Sequence, residues 1–236
     1  MATVSGGLAR SVLADQVKER LLAAILRGEY GPDSRIVETQ VARELGTSQA
    51  PVREALRGLE ALGVVVIAPF RGARVRRPSR SEILEAYAVR SALETLAASL
   101  AVPRLAPANV EELAGHLAAM RAAAEADDGG ALAEADARFH GAIVELADNA
   151  TLLRVWRSLE PLSRTYLTLV VPGADARWAA ELHASILAAV ERRDATGLAD
   201  ALRDHFEQVS ENMSRRLPPE PDDGTSAALA PAGAAR

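Results

Sequence analysis

The chain has 236 residues, 49 % of them hydrophobic and 3 % aromatic, with no cysteine and a formal net charge of -5. That length suits two modest domains, and the prevalence of Ala and Leu favours helices packed on helices over a sheet sandwich. The missing cysteines exclude a disulfide framework, thiolate metal sites and cysteine nucleophiles. No stretch approaches the roughly 20 apolar residues of a membrane span, and Met1 to Arg10 lacks the apolar run of a signal peptide, so a cytoplasmic protein with no membrane partner is expected. The charge is unevenly placed: residues 1–77 carry 12 Lys/Arg against 8 Asp/Glu, and the remainder 15 against 24. A basic first third joined to an acidic remainder argues for two domains with different partners.

Residues 1–8 read as disordered. From Ser11 to Arg27 the apolar positions Leu13, Val17, Leu21 and Ile25 recur every four residues, which predicts a helix that Gly28 ends. A second short helix is predicted from Glu38 to Leu45. After the Gly46-Thr47-Ser48 turn a third is capped by Ser48, with Pro51 in its first turn and Val52, Ala55, Leu56, Leu59 and Leu62 on its buried face. Val64 to Ile67 and Ala73 to Arg76 read as a hairpin with a basic, glycine-containing tip. Helix, helix, turn, helix, hairpin is the order of a winged helix-turn-helix, assigned here to residues 9–77. Beyond Pro78 the pattern is wholly helical, with helices near 80–102, 106–126, 129–147, 149–170, 175–193 and 195–216, and Pro161 placed to kink the fourth. The expected architecture is mainly α: a winged helix-turn-helix of three helices and a hairpin wing, then an all-α six-helix antiparallel bundle over 78–216. A Pro-, Ala- and Gly-rich tail, 217–236, is expected to be disordered.

The string LADQVKERLLAAILRGEYGPDSRIVETQVARELGTSQAPVREALRGLEALGVVVIAPFRGARV resembles the DNA-binding domain of the GntR family of bacterial regulators. VRSALE, DARFHGAIVELADN and LHASILAAVERRDATGLADALRDHF resemble the ligand-binding (FCD) domain of its FadR-like branch. Six helices after the linker point to the VanR-type subgroup. The resemblance implies a metabolite-responsive transcription regulator, a repressor by the commoner habit of relatives, working as a homodimer on a pseudo-palindromic operator of double-stranded DNA. The acidic helical domain would hold both the dimer contacts and the effector.

Gln49, Arg53 and Arg57 are spaced by four and share the face of the third helix opposite Val52, Leu56 and Leu59, where a helix in a major groove needs long polar donors. The resemblance assigns Arg53 a DNA contact. Gln49 and Thr39 stand where relatives often carry arginine, so an operator sequence does not carry over. Thr47 and Ser48 are candidate phosphate contacts beside a helix start, and Arg71 with Gly72 should form the wing tip. Arg57 has a competing reading as a helix-surface charge paired with Glu54 or Glu60.

Asp136 and His140 lie four apart on one helix face, and His183 and His205 fall on the last two helices. By spacing alone the signal is weak, because scattered histidines on amphipathic helices are usually just partly buried polar residues. The resemblance makes the four the ligands of a divalent metal, Zn²⁺ first, with Ni²⁺, Mn²⁺ or Fe²⁺ as alternatives. His116 matches nothing and reads as a surface histidine. A small carboxylate effector would complete the coordination and bond to Arg90, or to Arg164 beside Tyr166. An ion pair with Glu94 is the competing role for Arg90. Asn149 reads as a helix cap. The rival from another class is a metal-dependent hydrolase using the Asp/His set, which would leave the winged helix unexplained. A structural DNA-binding protein without an effector is the third reading.

Overall fold

The computed structural model describes the backbone of residues 5–68, 72–169 and 175–216, with side chains from Val12 onward except those of 162–169. The tail 217–236, Arg71, expected at the wing tip, and the side chain of Arg164 lie outside the described residues.

The first unit runs α1 (Ser5–Leu26), β1 (Arg35–Ile36), α2 (Glu38–Glu44), α3 (Gln49–Ala61), β2 (Val65–Ala68) and β3 (Gly72–Val75). Val17, Leu21 and Ile25 of α1 are buried in one cluster with Val52, Leu56 and Leu59 of α3, as their period-four spacing requires. The stop after α1 is chemical. Gly28 sits at φ 76°, its N–H donates to the Ile25 carbonyl at 2.9 Å, and the Glu29 N–H donates to the Ala24 carbonyl at 3.0 Å. This double closure satisfies carbonyls that a continuing helix would have used, and it needs the left-handed backbone that glycine adopts at little cost. One expectation is corrected at the other end. The helix begins at Ser5, so residues 5–8 are helical rather than disordered; Gly6 and Gly7 are weak helix formers and hid the extension.

The predicted wing is present, each strand displaced by one residue, and a third strand joins it. The sheet order is β1-β3-β2, antiparallel throughout, with Ile36 opposite Ala73 and Val65 opposite Val75. Strand β1 was not expected, because two residues carry no periodicity. Burial of Ile36 in the head's core holds it in place.

The second unit contains α4 (Arg80–Ala101), α5 (Pro107–Glu125), α6 (Gly129–Leu146), α7 (Ala150–Leu169), α8 (Ala176–Glu181), α9 (Ala184–Glu191) and α10 (Ala195–Arg216). Ser79 starts α4 with a capping box: its hydroxyl accepts from the Glu82 N–H at 3.1 Å, and Glu82 accepts from the Ser79 N–H at 2.9 Å. Leu113, Leu117 and Met120 of α5, Phe139, Ile143 and Val144 of α6, Ile186 and Val190 of α9 and Leu198 and Leu202 of α10 share the main core. A smaller cluster of Ile83, Tyr87, Phe206 and Met213 joins α4 to α10. Helix α7 continues through Pro161.

The single helix expected over 175–193 is divided at Leu182–His183 into α8 and α9. Here the His183 amide turns to the Ala180 carbonyl, and the His183 ring donates from Nδ1 to the Ala179 carbonyl at 3.0 Å. A side chain thus takes the acceptor that a continuing α-helix reserves for a backbone amide. The six-helix count behind the VanR-type subgroup therefore holds only when α8 and α9 are taken as one interrupted helix.

Candidate metal centre and DNA-reading surface

Four helices deliver the polar centre of the bundle. Asp136 and His140 project from one face of α6, His183 sits at the α8–α9 break, His205 lies on α10, and Arg90 and Glu94 face them from α4. His140, His183 and His205 are all buried, at 1 %, 2 % and 5 % exposure. The Nε2 atoms of His140 and His183 are 3.1 Å apart, Asp136 Oδ1 is 3.1 Å from His183 Nε2 and 3.8 Å from His140 Nε2, and the His183 and His205 ring centres are 4.6 Å apart. The three histidines singled out from the sequence meet at one place, and Asp136 reaches it through His183 and His140.

The hydrogen bonds behind the rings fix their roles. His140 Nδ1 donates to Glu94 Oε2 at 2.5 Å, and His183 Nδ1 donates to a carbonyl that can only accept. In the neutral rings both Nε2 atoms are then acceptors, yet they face each other and the Asp136 carboxylate. Buried lone pairs converging in this way call for a cation. Ligand atoms on a tetrahedral ion with bonds of about 2.0–2.1 Å stand about 3.3 Å apart, and each of the three histidines offers a nitrogen within 4.8 Å of the others. His205 adds an orphan: its Nδ1 is buried with no hydrogen-bond partner among the described residues. The donor set fits a divalent metal, and His140, His183 and His205 form a buried group able to hold one.

Without a bound ion, the centre's own cationic groups balance the two buried carboxylates. Burial alone would raise the Asp136 pKa, but His140 and His183 beside it hold the carboxyl below its ordinary range. Glu94 is likewise held down to about 2 against its burial, by His140 first and Arg90 next. Burial pushes His205 well below the usual imidazole value, and His183 and His140 push it further.

Sequence reasoning understated Glu94. Its Oε1 accepts from Arg90 Nε at 3.0 Å, Arg90 NH2 at 2.9 Å and Trp156 Nε1 at 2.7 Å, while Oε2 takes His140. Arg90, expected at the effector, thus gives two groups to the competing pair with Glu94. Its charge lies among the rings of Tyr87, Trp156 and Phe206, at 6.0, 5.5 and 5.3 Å from their centres. Its NH1 makes no hydrogen bond among the described residues. The partners of Glu94 at 46 and 62 residues' distance leave no local trace; its one sequence signal is a glutamate on a buried helix face. His116 stays apart, 3.9 Å from Glu112, and Asn149 caps α7 through its side chain and the Leu152 N–H at 3.1 Å.

In the head, Thr39, Ser48, Gln49, Arg53 and Arg57 are exposed, and Thr47 is half-buried. Ser48 occupies the N-cap of α3, but its hydroxyl makes no capping bond. Arg57 has no ion pair among the described residues, so the expected competition from Glu54 or Glu60 is not realised; Glu60 Oε1 instead accepts the Ile67 N–H at 2.8 Å. Arg53 is paired with Glu38, an arrangement that the sequence did not suggest. Gly72 opens β3 at φ 79°.

A recognition helix, a wing and a helical bundle with a polar centre are the parts of a ligand-responsive regulator, and comparison with known proteins agrees. Residues 13–75 match the family of bacterial regulatory proteins, gntR family, and residues 85–208 match the FCD domain. The chain belongs to the GntR family. Over 205 residues it is 36 % identical to the "Probable D-xylose utilization operon transcriptional repressor" of Paenarthrobacter nicotinovorans, covering 87 % of this chain and 90 % of that protein. It is 27 % identical over 208 residues to the HTH-type transcriptional regulator McbR of Escherichia coli (strain K12), covering 86 % and 94 %. The solved structure of E. coli McbR/YncC superposes with a TM-score of 0.74 at 26 % identity, over 86 % of this chain and 97 % of that one. A GntR structure from Rhodococcus sp. RHA1, 22 % identical with a TM-score of 0.78, shows the same fold. This GntR-family chain is a bacterial DNA-binding transcription regulator, and its relatives are named as regulators rather than enzymes. Among the described residues no helix is long and apolar enough to cross a membrane.

Proposed function

We propose that this GntR-family regulator binds a pseudo-palindromic operator as a homodimer, as a repressor, and that a divalent metal held by Asp136, His140, His183 and His205 anchors a small carboxylate effector. The observation that carries the reading is the convergence of the His140 and His183 Nε2 atoms and Asp136, with Nδ1 of each ring engaged behind it. A metal bound there supplies positive charge and an open coordination position for an acid. The chain's own groups do the rest. Glu94 orients His140, the α8–α9 break orients His183, and Arg90 keeps NH1 available to a carboxylate that enters beside the metal. Zn²⁺ suits the mixed nitrogen and oxygen donor set, as do Ni²⁺, Mn²⁺ and Fe²⁺. Arg164 remains a second candidate effector contact. On the DNA side, Arg53, Gln49 and Arg57 face the major groove, Thr39, Thr47 and Ser48 the phosphates, and Arg71 with Gly72 the flanking groove. The hydrolase alternative finds no support in the centre, because both oxygens of Glu94 are already engaged.

An effector shifts operator affinity only by preferring one arrangement of the two heads over another. The test is native mass spectrometry of the purified full chain, followed by an operator titration with candidate acids before and after chelation. Two subunits, two metal ions and acid-dependent release that chelation abolishes are expected. A metal-free protein that responds fully to an acid would remove the metal-anchored mechanism and leave the regulator intact.

A further inference from the structure

Arg53 is held by a carboxylate from another helix. Its Nε and NH2 both donate to a single oxygen, Glu38 Oε2, at 3.2 Å each, from α3 across to the first residue of α2. The arginine side chain is 52 % exposed and the glutamate 24 %, so an exposed cation rests on a half-covered anion. Such a pair adds about 0–1 kcal/mol to stability, and a carboxylate beside the DNA-facing surface also repels phosphate. Stability therefore does not account for the contact. Orientation does. A guanidinium has five N–H donors in a planar fork. Glu38 takes the Nε edge, and NH1 makes no bond among the described residues, so the outer NH1/NH2 edge is left facing away from Glu38. With the Nε edge taken, that outer edge is the one left with two parallel donors for O6 and N7 of a guanine in a major groove.

We propose that Glu38 is a positioning residue for sequence recognition: by gripping the Nε edge of Arg53 it fixes the NH1/NH2 edge for a guanine of the operator. The proposal rests on the reading above that Arg53 contacts operator DNA. Arginine carries large rotamer freedom, and a guanidinium already held at one edge gives up less of it on binding. Two effects of Glu38 then have opposite signs. As a charge it weakens binding to every duplex; as a support it strengthens binding only where a guanine awaits Arg53.

The experiment compares full-length wild type, Glu38→Ala, Glu38→Gln, Arg53→Ala and the Glu38/Arg53 double alanine variant. The probes are a duplex enriched by the wild-type chain from a randomised pool and a scrambled duplex of equal length and composition. Loss of the support should weaken binding of Glu38→Ala to the enriched duplex by about 3- to 10-fold, the ordering cost of one long side chain, while its affinity for the scrambled duplex stays level or rises. Glu38→Gln keeps an acceptor oxygen and should fall between. In the Arg53→Ala background the Glu38→Ala change should cost nothing on the enriched duplex. Unchanged or tighter binding of Glu38→Ala to the enriched duplex overturns the proposal. So does an equal loss with or without Arg53, or a loss on both duplexes that tracks a lower melting temperature. If Arg53→Ala itself keeps full affinity for the enriched duplex, the Arg53 contact fails and the proposal with it; if Arg53→Ala is impaired and Glu38→Ala is not, only the proposal fails.

Discussion

Glu94 is fully buried and receives donors from three other residues, which makes it the residue whose loss should be felt most widely. Replacing it with Ala leaves the Arg90 charge without its counter-charge and should cost about 3–5 kcal/mol. Losing the bond behind a ligating histidine should also weaken metal binding by about 10- to 100-fold. Trp156→Phe removes one N–H from Glu94 and keeps the ring, so a cost of about 1–2 kcal/mol with metal affinity nearly intact is expected. Denaturant melts and metal titration of both variants separate the two roles. His183→Ala should lower the melting temperature about as much as chelation lowers it in wild type, and should abolish any further response to chelator. A variant still destabilised by chelator would place the metal elsewhere. At this scale the sequence was informative about the candidate ligands, because Asp136 and His140 share a helix face and the family strings marked the remaining pair. It was silent about Glu94 beyond Arg90, since His140 and Trp156 are brought to it only by packing of α6 and α7 against α4.

Elements whose boundaries are written in local chemistry were legible: the period-four stripe of α1, the closure at Gly28, the turn before Ser48, the Asn149 cap. Those whose boundaries depend on the rest of the molecule were not. Strand β1 exists only because β3 lies beside it, and the α8–α9 break exists because a histidine ring takes the Ala179 carbonyl in the middle of an unbroken apolar pattern. Helix packing adds a constraint that can be tested. Helices α6 and α7 approach closely at Gly141, where a Cβ would lie 3.3 Å from the Trp156 ring. Gly141→Ala should gain helix propensity yet push on the ring that donates to Glu94, for a net loss of about 1 kcal/mol. A more stable Gly141→Ala protein would mean that the α6–α7 contact has room to relax. The measurement is a urea melt followed by tryptophan fluorescence in a Trp178→Phe background, which leaves Trp156 as the one emitter.

The head has its own buried cluster, including Ile25, Ile36, Val52, Leu56 and Leu59, which should let residues 1–77 fold alone. As a single head that fragment should bind operator far more weakly than the full chain, since a second, linked head raises effective concentration without a new contact. Equal affinity in a titration of the two proteins would argue against dimerisation through the bundle. The short connection between the units is closely tied. The Arg76 N–H donates to the Val64 carbonyl at 2.9 Å, Arg76 also pairs with Glu82, and Arg77 Nε lies 3.4 Å from Asp33 Oδ2. Pro78 is buried, and Ser79 already caps α4. A head joined in this way is not a bead on a string, and in the proposed homodimer its angle to the bundle would be passed on to the DNA. The two half-sites would then have to lie at one rotational phase of the duplex. Inserting about five base pairs between them, roughly half of the 10–10.5 that make a turn, should abolish dimeric binding. Inserting a full turn should restore little, because the heads regain their facing but not their reach.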